Sequence, residues 1–220
     1  MNRIQLVNSL SIEASIAGNG VTTTNSQSGE NQRLVSWIDQ AYEDIQTEYA
    51  DWKFLKAKSS FDTQVGVNII QPAGDLNVWD IERIFGPNGE PMPVEISEEV
   101  DYFIDETITG EPTKFILQDD NTLMAYPKPE TVKTFTYSYF KSPHIMTADT
   151  DTPAFPAQFH RAIVGRALIY YGNFELAPEM IQQGTFIYQS VYHKLLANQA
   201  CGERRLYELS ASPEITVVAQ

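Results

Sequence analysis

A chain of 220 residues with 42% hydrophobic residues, 11 Tyr and 11 Phe can bury roughly 70% of the surface its unfolded form exposes, which excludes a disordered polypeptide and any need for a metal or disulfide staple. Its 29 acidic against 15 basic residues leave a net charge of −14, and the only adjacent basic pair, Arg204 and Arg205, is no grip for nucleic-acid phosphates. The single cysteine, Cys201, has no partner for an internal bridge; no run of about 18 apolar residues marks a membrane span; and Met1 to Ala17 lacks the parts of a secretory signal.

Ile4, Val7, Leu10, Ala14 and Ala17 fall at near-helical spacing and predict a first helix stopped by Gly18, with Leu6 and Ile12 blurring its face. Gly18 to Asn31, rich in Gly, Ser, Thr and Asn, reads as an exposed, mobile loop. Its Gly18-Asn19-Gly20 is no phosphate cradle, since no strand precedes it and no Lys-Ser or Lys-Thr step follows. The strongest pattern in the chain is Arg33 to Leu55. Leu34, Ile38, Ala41, Tyr42, Ile45, Tyr49 and Trp52 share one helical face, while Asp39, Gln40, Glu43, Asp44, Gln46 and Glu48 take the other. Ser28 and Asn31 are residue types that accept bonds from the orphan amides of a helix start.

Beyond this helix the period changes to two. Val65, Val67 and Ile69 alternate within Gln64 to Ile70 and predict a strand, and Leu76 to Phe85 reads as a second. Gly86 to Gly89 forms a turn that Pro91 and Pro93 extend. Ser97, with Glu98 and Glu99, suits the start of a short helix through about Asp105. Phe115 and Leu117 lead into a hairpin turn at Asp119-Asp120-Asn121, and Leu123 and Ala125 begin the return. That turn lacks the glycine and terminal Glu of a calcium loop. Phe135, Tyr137 and Tyr139 then alternate as a buried strand face. The expectation is an antiparallel meander of three strands, joined by the earlier two into a small sheet layer or sandwich.

Pro156 suits a first helical turn, because its missing amide proton would be unpaired there anyway. Phe159, Ile163, Ala167, Tyr170 and Phe174 give the face of the helix that follows, broadened by Val164, Leu168 and Ile169. A short link from Asn173 to Pro178 precedes a last helix through Met180, Gly184, Ile187, Tyr188, Val191 and Leu195, closing near Gly202. The short link predicts an antiparallel pair packed on the Arg33 helix. His160 and His193 lack a second ligand at helical spacing and are poor metal ligands. Cys201 has Arg204 and Arg205 nearby but no base partner, so it reads as structural. From Glu203 the helical pattern stops, Ser210 to Pro213 breaks the chain, and Ile215, Val217 and Val218 suit a strand. Such an apolar-ended arm docks on its own domain or on a neighbour. The organisation read from sequence is therefore α+β: an antiparallel helical bundle from residues 1–58 and 150–202, an inserted antiparallel β region at 59–149, and an extended C-terminal arm at 203–220. No motif of a nucleotide-binding loop, hydrolase or metalloprotease is present, so neither enzyme chemistry nor a cofactor or metal is expected.

Three stretches resemble the head-to-tail connector (adaptor) family of tailed bacteriophages. The first comprises Arg33, Leu34, Val35, Trp37, Ile38, Ala41, Tyr42, Ile45 and Gln46, then Trp52, Phe54 and Leu55. The second comprises Gly110, Pro112, Phe115, Tyr126, Pro127, Pro129, Tyr139, Phe140 and Pro143. The third is an acidic turn and helix start at Asp149, Asp151, Pro153, Pro156, Phe159, His160 and Ala167. The resemblance implies a non-enzymatic virion protein of the neck, made in the host cytoplasm. Such proteins assemble as a ring of typically twelve copies on the portal after DNA packaging and present a platform to the next neck or tail protein. DNA would pass through the centre without specific binding, which an acidic chain permits. The resemblance also implies an arm reaching the portal, with Arg204, Arg205, Leu206, Tyr207, Leu209, Ile215 and Val217 as the partner-interface residues. The rival readings are another virion part, such as a stopper or mostly-β tail-tube protein, and a small carbohydrate-binding or hydrolase domain using the aromatic β region.

Overall fold

The computed structural model describes residues 1–18, 20–97, 104, 105 and 107–199. Its fold is mixed α+β, with four helices packed together and several small sheets. By its internal contacts the chain divides into two units, one of Met1–Phe54 with the chain from Pro143 onward, the other of Leu55–Ser142.

The first unit holds the helices. Helix α1, Arg3–Glu13, starts with a reciprocal cap: the Asn2 side chain accepts from the Gln5 amide, and the Gln5 side chain accepts from the Asn2 amide. It ends four residues before the expected Ala17. Ser15 takes φ +56°, and the amides of Ser15 and Ile16 turn back to the carbonyls of Ile12 and Ser11. This left-handed cap closes the helix without the glycine at 18. Leu6, Val7 and Leu10 are buried, whereas Ile12 stands 77% exposed past the core face.

Helix α2, Gly29–Thr47, follows Ser28, whose side chain makes no capping bond, and Asn31 lies exposed within the helix. Leu34, Ile38, Ala41, Tyr42 and Ile45 face the core as expected, and Trp52 follows them in beyond the helix end. The helix stops at Thr47, and a single 3-10 turn at Lys53–Leu55 replaces its expected last residues. Helix α3, Arg161–Phe174, follows a 3-10 turn at Ala157–Phe159 entered from Pro156, and helix α4, Pro178–Gln199, begins at the expected proline. These two form the closest helix pair. A Cβ on Gly165 would lie 2.6 Å from the Tyr188 amide nitrogen, and one on Gly184 would lie 2.8 Å from the Gly165 carbonyl. Only glycines allow the backbones this approach.

Among its described residues the second unit carries nine strands: β1 (Lys56–Asp62), β2 (Ile69–Ile70), β3 (Leu76–Phe85), β4 (Val94–Ile96), β5 (Thr109–Gly110), β6 (Lys114–Leu117), β7 (Leu123–Tyr126), β8 (Lys128–Pro129) and β9 (Thr134–Lys141). The expected hairpin is present as β6–β7, with Asn121 at φ +64° in its turn. The three-strand meander is not: β9 leaves the hairpin and pairs with β1 and β3 in a separate sheet of order β1-β9-β3. The hairpin instead lies in a sheet of order β2-β7-β6-β4, in which β4 runs parallel to β6; β5 and β8 form a third, parallel pair. The expected strand from Gln64 is largely a turn. Gly66 sits at φ +73°, Gln64 bridges Val67, and Val65, Val67 and Ile69 are exposed.

The two larger sheets share one aromatic core. Phe61 stacks on Phe135 at 5.6 Å and meets Phe115 edge-on, while Trp79 lies 4.7 Å from Tyr137. The Trp79 indole N–H donates to the Asn121 carbonyl at 2.9 Å, so the one polar atom of that ring is satisfied. The expected helix after Ser97 lies mostly outside the described residues; Ser97 itself donates its hydroxyl to Asp119 at 3.1 Å.

Candidate interaction surface

Two polar clusters, one buried around Arg3 and one partly exposed around Arg166, position the surface of the helical unit. The first centres on Arg3, at the start of α1. Its Nε and Nη2 grip both carboxylate oxygens of Asp39 on α2, at 3.0 and 2.6 Å, and its Nη1 donates to the Thr24 hydroxyl and the Thr147 carbonyl. Thr24 in turn donates through its amide and hydroxyl to Asp149. The carbonyls of Asp149 and Asp151 accept from the first amides of α1, and the Asp151 carboxylate accepts from the Thr147 and Ala148 amides at 2.8 Å. These bonds hold both carboxyls below the ordinary carboxylate range: Thr24 is the main cause for Asp149, and the Ala148 and Thr147 amides for Asp151. The acidic turn is therefore a structural clamp on α1. It also pins the glycine-rich loop that sequence left exposed: Val21 and Thr24 are buried, and the Asn8 amide bonds both the N–H and the carbonyl of Val21.

The second cluster joins α2, α3 and α4. Arg166 donates to the hydroxyls of Tyr170 and Tyr188 and pairs with Asp44 and Glu48, and the Tyr170 hydroxyl donates to Asp44. Burial, with the Glu48 carboxylate beside it, pushes the Tyr188 phenol far above its ordinary value. Gln46, expected on the solvent side of α2, is 1% exposed. Its amide donates to the carbonyls of His144 and Tyr42 and accepts from the His144 amide. Beside it the Tyr42 phenol, raised to about 12 by burial, accepts from the Ala154 amide.

Among the described residues no group of three or more His, Cys, Asp or Glu could hold a metal. His160 is buried, with its Nε2–H donating to the Phe155 carbonyl at 2.9 Å, and burial lowers its pKa. No described helix is long and apolar enough to cross a membrane.

What the helical unit does present is apolar surface. Phe174, 51% exposed, ends α3 with Arg33 above its ring at 4.5 Å and Trp37 at 5.6 Å. Leu176, 86% exposed at φ +54°, forms the corner into α4, and Phe186 stands 74% exposed on α4 itself. Sequence reading passed over Phe186, although its position beside Ile187 puts it off the core face. A groove of about 610 Å³ lies near the C-terminal end of α4, lined by Gln158, Phe159, Val191, Lys194, Ala197 and Asn198. The interface residues expected from sequence, Arg204, Arg205, Leu206, Tyr207, Leu209, Ile215 and Val217, all lie outside the described residues, as does Cys201. The expected helix end near Gly202 lies there too.

Compared with known families, residues 1–214 match the model of the family described as SU10 adaptor protein. No curated protein matches the chain.

Proposed function

The chain belongs to the SU10 adaptor protein family, a family of phage head-tail adaptors, and we propose that it forms a ring docked on the portal after DNA packaging. The ring, of twelve copies, offers a platform to the next neck or tail protein and lets DNA pass through its centre during packaging's aftermath and ejection. The protein acts as a structural part of the virion neck and carries out no catalysis. The observation that supports this reading most is the family match across nearly the whole chain, residues 1–214. The net charge of −14 is consistent with a channel that DNA traverses without sticking.

In this proposal the arm from Glu203 reaches the portal. Leu206, Tyr207, Leu209, Ile215 and Val217 are its apolar anchors, with Arg204 and Arg205 at its root. Each arm contributes a modest contact, and a ring of such contacts on a pre-assembled portal binds cooperatively.

Mass measurement of the chain alone and mixed with its portal rings tests this. The full chain is expected to add to the portal in a fixed number of copies. A chain truncated after Gly202 is expected to melt like the parent yet remain free of the portal. Failure of the full chain to bind would remove the adaptor reading, whereas normal binding by the truncated chain would remove only the arm.

A further inference from the structure

Helix α4 buries Gly184, Ile187, Tyr192, Leu195 and Leu196 and turns its other side to solvent. Between Glu179 and Lys194 the exposed residues of that side are Gln182, Gln183, Phe186, Gln189, Ser190 and His193. None is Asp, Glu, Lys or Arg. Glu179 and Lys194 bound this stretch, and Glu13 at the end of α1 is engaged at its border: one oxygen accepts from Arg161 at 2.9 Å and the other from Gln183 at 2.8 Å. That contact also brings the α1 end, with Ile12 77% exposed, to the border of this face. Phe186, 74% exposed, stands at the middle.

A charge-depleted patch around a single exposed aromatic has the composition of an interface core. Charge also selects the occupant. Copies that each carry −14 repel, and at physiological salt screening over about 8 Å leaves the charges at the contact itself to decide the outcome. An acidic neighbour can therefore come closest where this chain presents no carboxylate of its own, as between Gln182 and His193, and amide side chains there can donate and accept across the contact. A basic partner would be better served by the exposed carboxylates of α2, Glu30 and Glu43.

We propose that the Gln182–His193 face of α4 is a contact with a second copy of this chain, with Phe186 as its central anchor. The proposal rests on the ring-forming reading above, and a ring contact is heterologous, so this face meets a different patch of the neighbour.

The test places the photoreactive residue p-benzoylphenylalanine at position 186 in the full chain and irradiates assembled particles. The expected product has twice the chain mass of 24.8 kDa and contains only this polypeptide. A product with another virion protein, a cross-link confined to one chain, or no product in particles that contain the chain would each overturn the contact. Particles assembled with the parent chain that lack it altogether would overturn the adaptor reading, and this proposal with it. In parallel, Phe186→Glu is expected to melt with the parent, because the side chain is exposed, and to lose incorporation into particles. Incorporation equal to that of the parent would contradict the anchor.

Discussion

At the scale of single residues, the helical unit is fastened by ionised groups whose partners are far away in sequence. Arg3 donates to three segments at once and is 9% exposed. Asp39→Asn keeps the shape but withdraws the charge that faces the guanidinium. Loss of a charge-assisted pair in such a setting costs about 2 kcal/mol, to be read as a lower urea midpoint at unchanged slope; an unshifted midpoint would mean that solvent replaces Asp39 without cost. His160 gives a pH signature. Burial sets its folded pKa below the ordinary 6.5, so the fold favours the neutral ring. That contribution is complete above pH 6.5 and is lost as the pH falls through the folded value. The melting temperature of the parent should therefore drop between about pH 7.5 and about pH 5 more steeply than that of His160→Gln. Parallel profiles for the two would show that His160 titrates alike in both states. Asp149 and Asp151, also depressed, add a second loss only below the ordinary 3.8. None of these pairings could be read from the sequence. Helical spacing placed Asp39 and Gln46 among solvent-facing polar residues, and only the fold brings Arg3 and His144 to them.

At the scale of elements, the α3–α4 pair is set by its glycines. Gly165→Ala puts a methyl against the Tyr188 amide at 2.6 Å, and overpacking of this kind costs about 1–3 kcal/mol. A clear fall in melting temperature with unchanged helix content is expected. A variant as stable as the parent would mean that the helices separate at no cost. The elements legible in sequence were those whose own residues dictate them: the α2 face, the β6–β7 hairpin with its Asn121 turn, β3 between Leu76 and Phe85, and the helix start at Pro178; Pro156 instead precedes a 3-10 turn, and α3 begins only at Arg161. Those missed depend on partners. Strand β1, Lys-Ala-Lys-Ser-Ser-Phe-Asp, is an edge strand with three exposed residues in its middle, so its apolar alternation is faint and its pairing with β9 supplies the structure. Val65, Val67 and Ile69 showed the right alternation but surround Gly66, whose positive φ bends them into a turn. Strand β9 followed the hairpin in sequence yet joined another sheet, because its aromatic residues complete the core between the two.

At the scale of the whole molecule, large apolar side chains stand exposed on both units: Ile12, Phe174, Leu176 and Phe186 on the helical unit, and Val65 and Val132 on the β-rich one. Family membership was legible because the three matching stretches carry residues that shape the fold itself. Tyr42 and Gln46 hold the His144 and Ala154 segment, and Asp149 and Asp151 clamp α1. The interaction face on α4 was not legible, since a helix pattern reveals which residues are buried and says little of how the remaining face is used. The most direct measurement is a density map of the intact virion neck. The account predicts a closed ring of this polypeptide seated directly against the portal; a neck from which the chain is missing would contradict it.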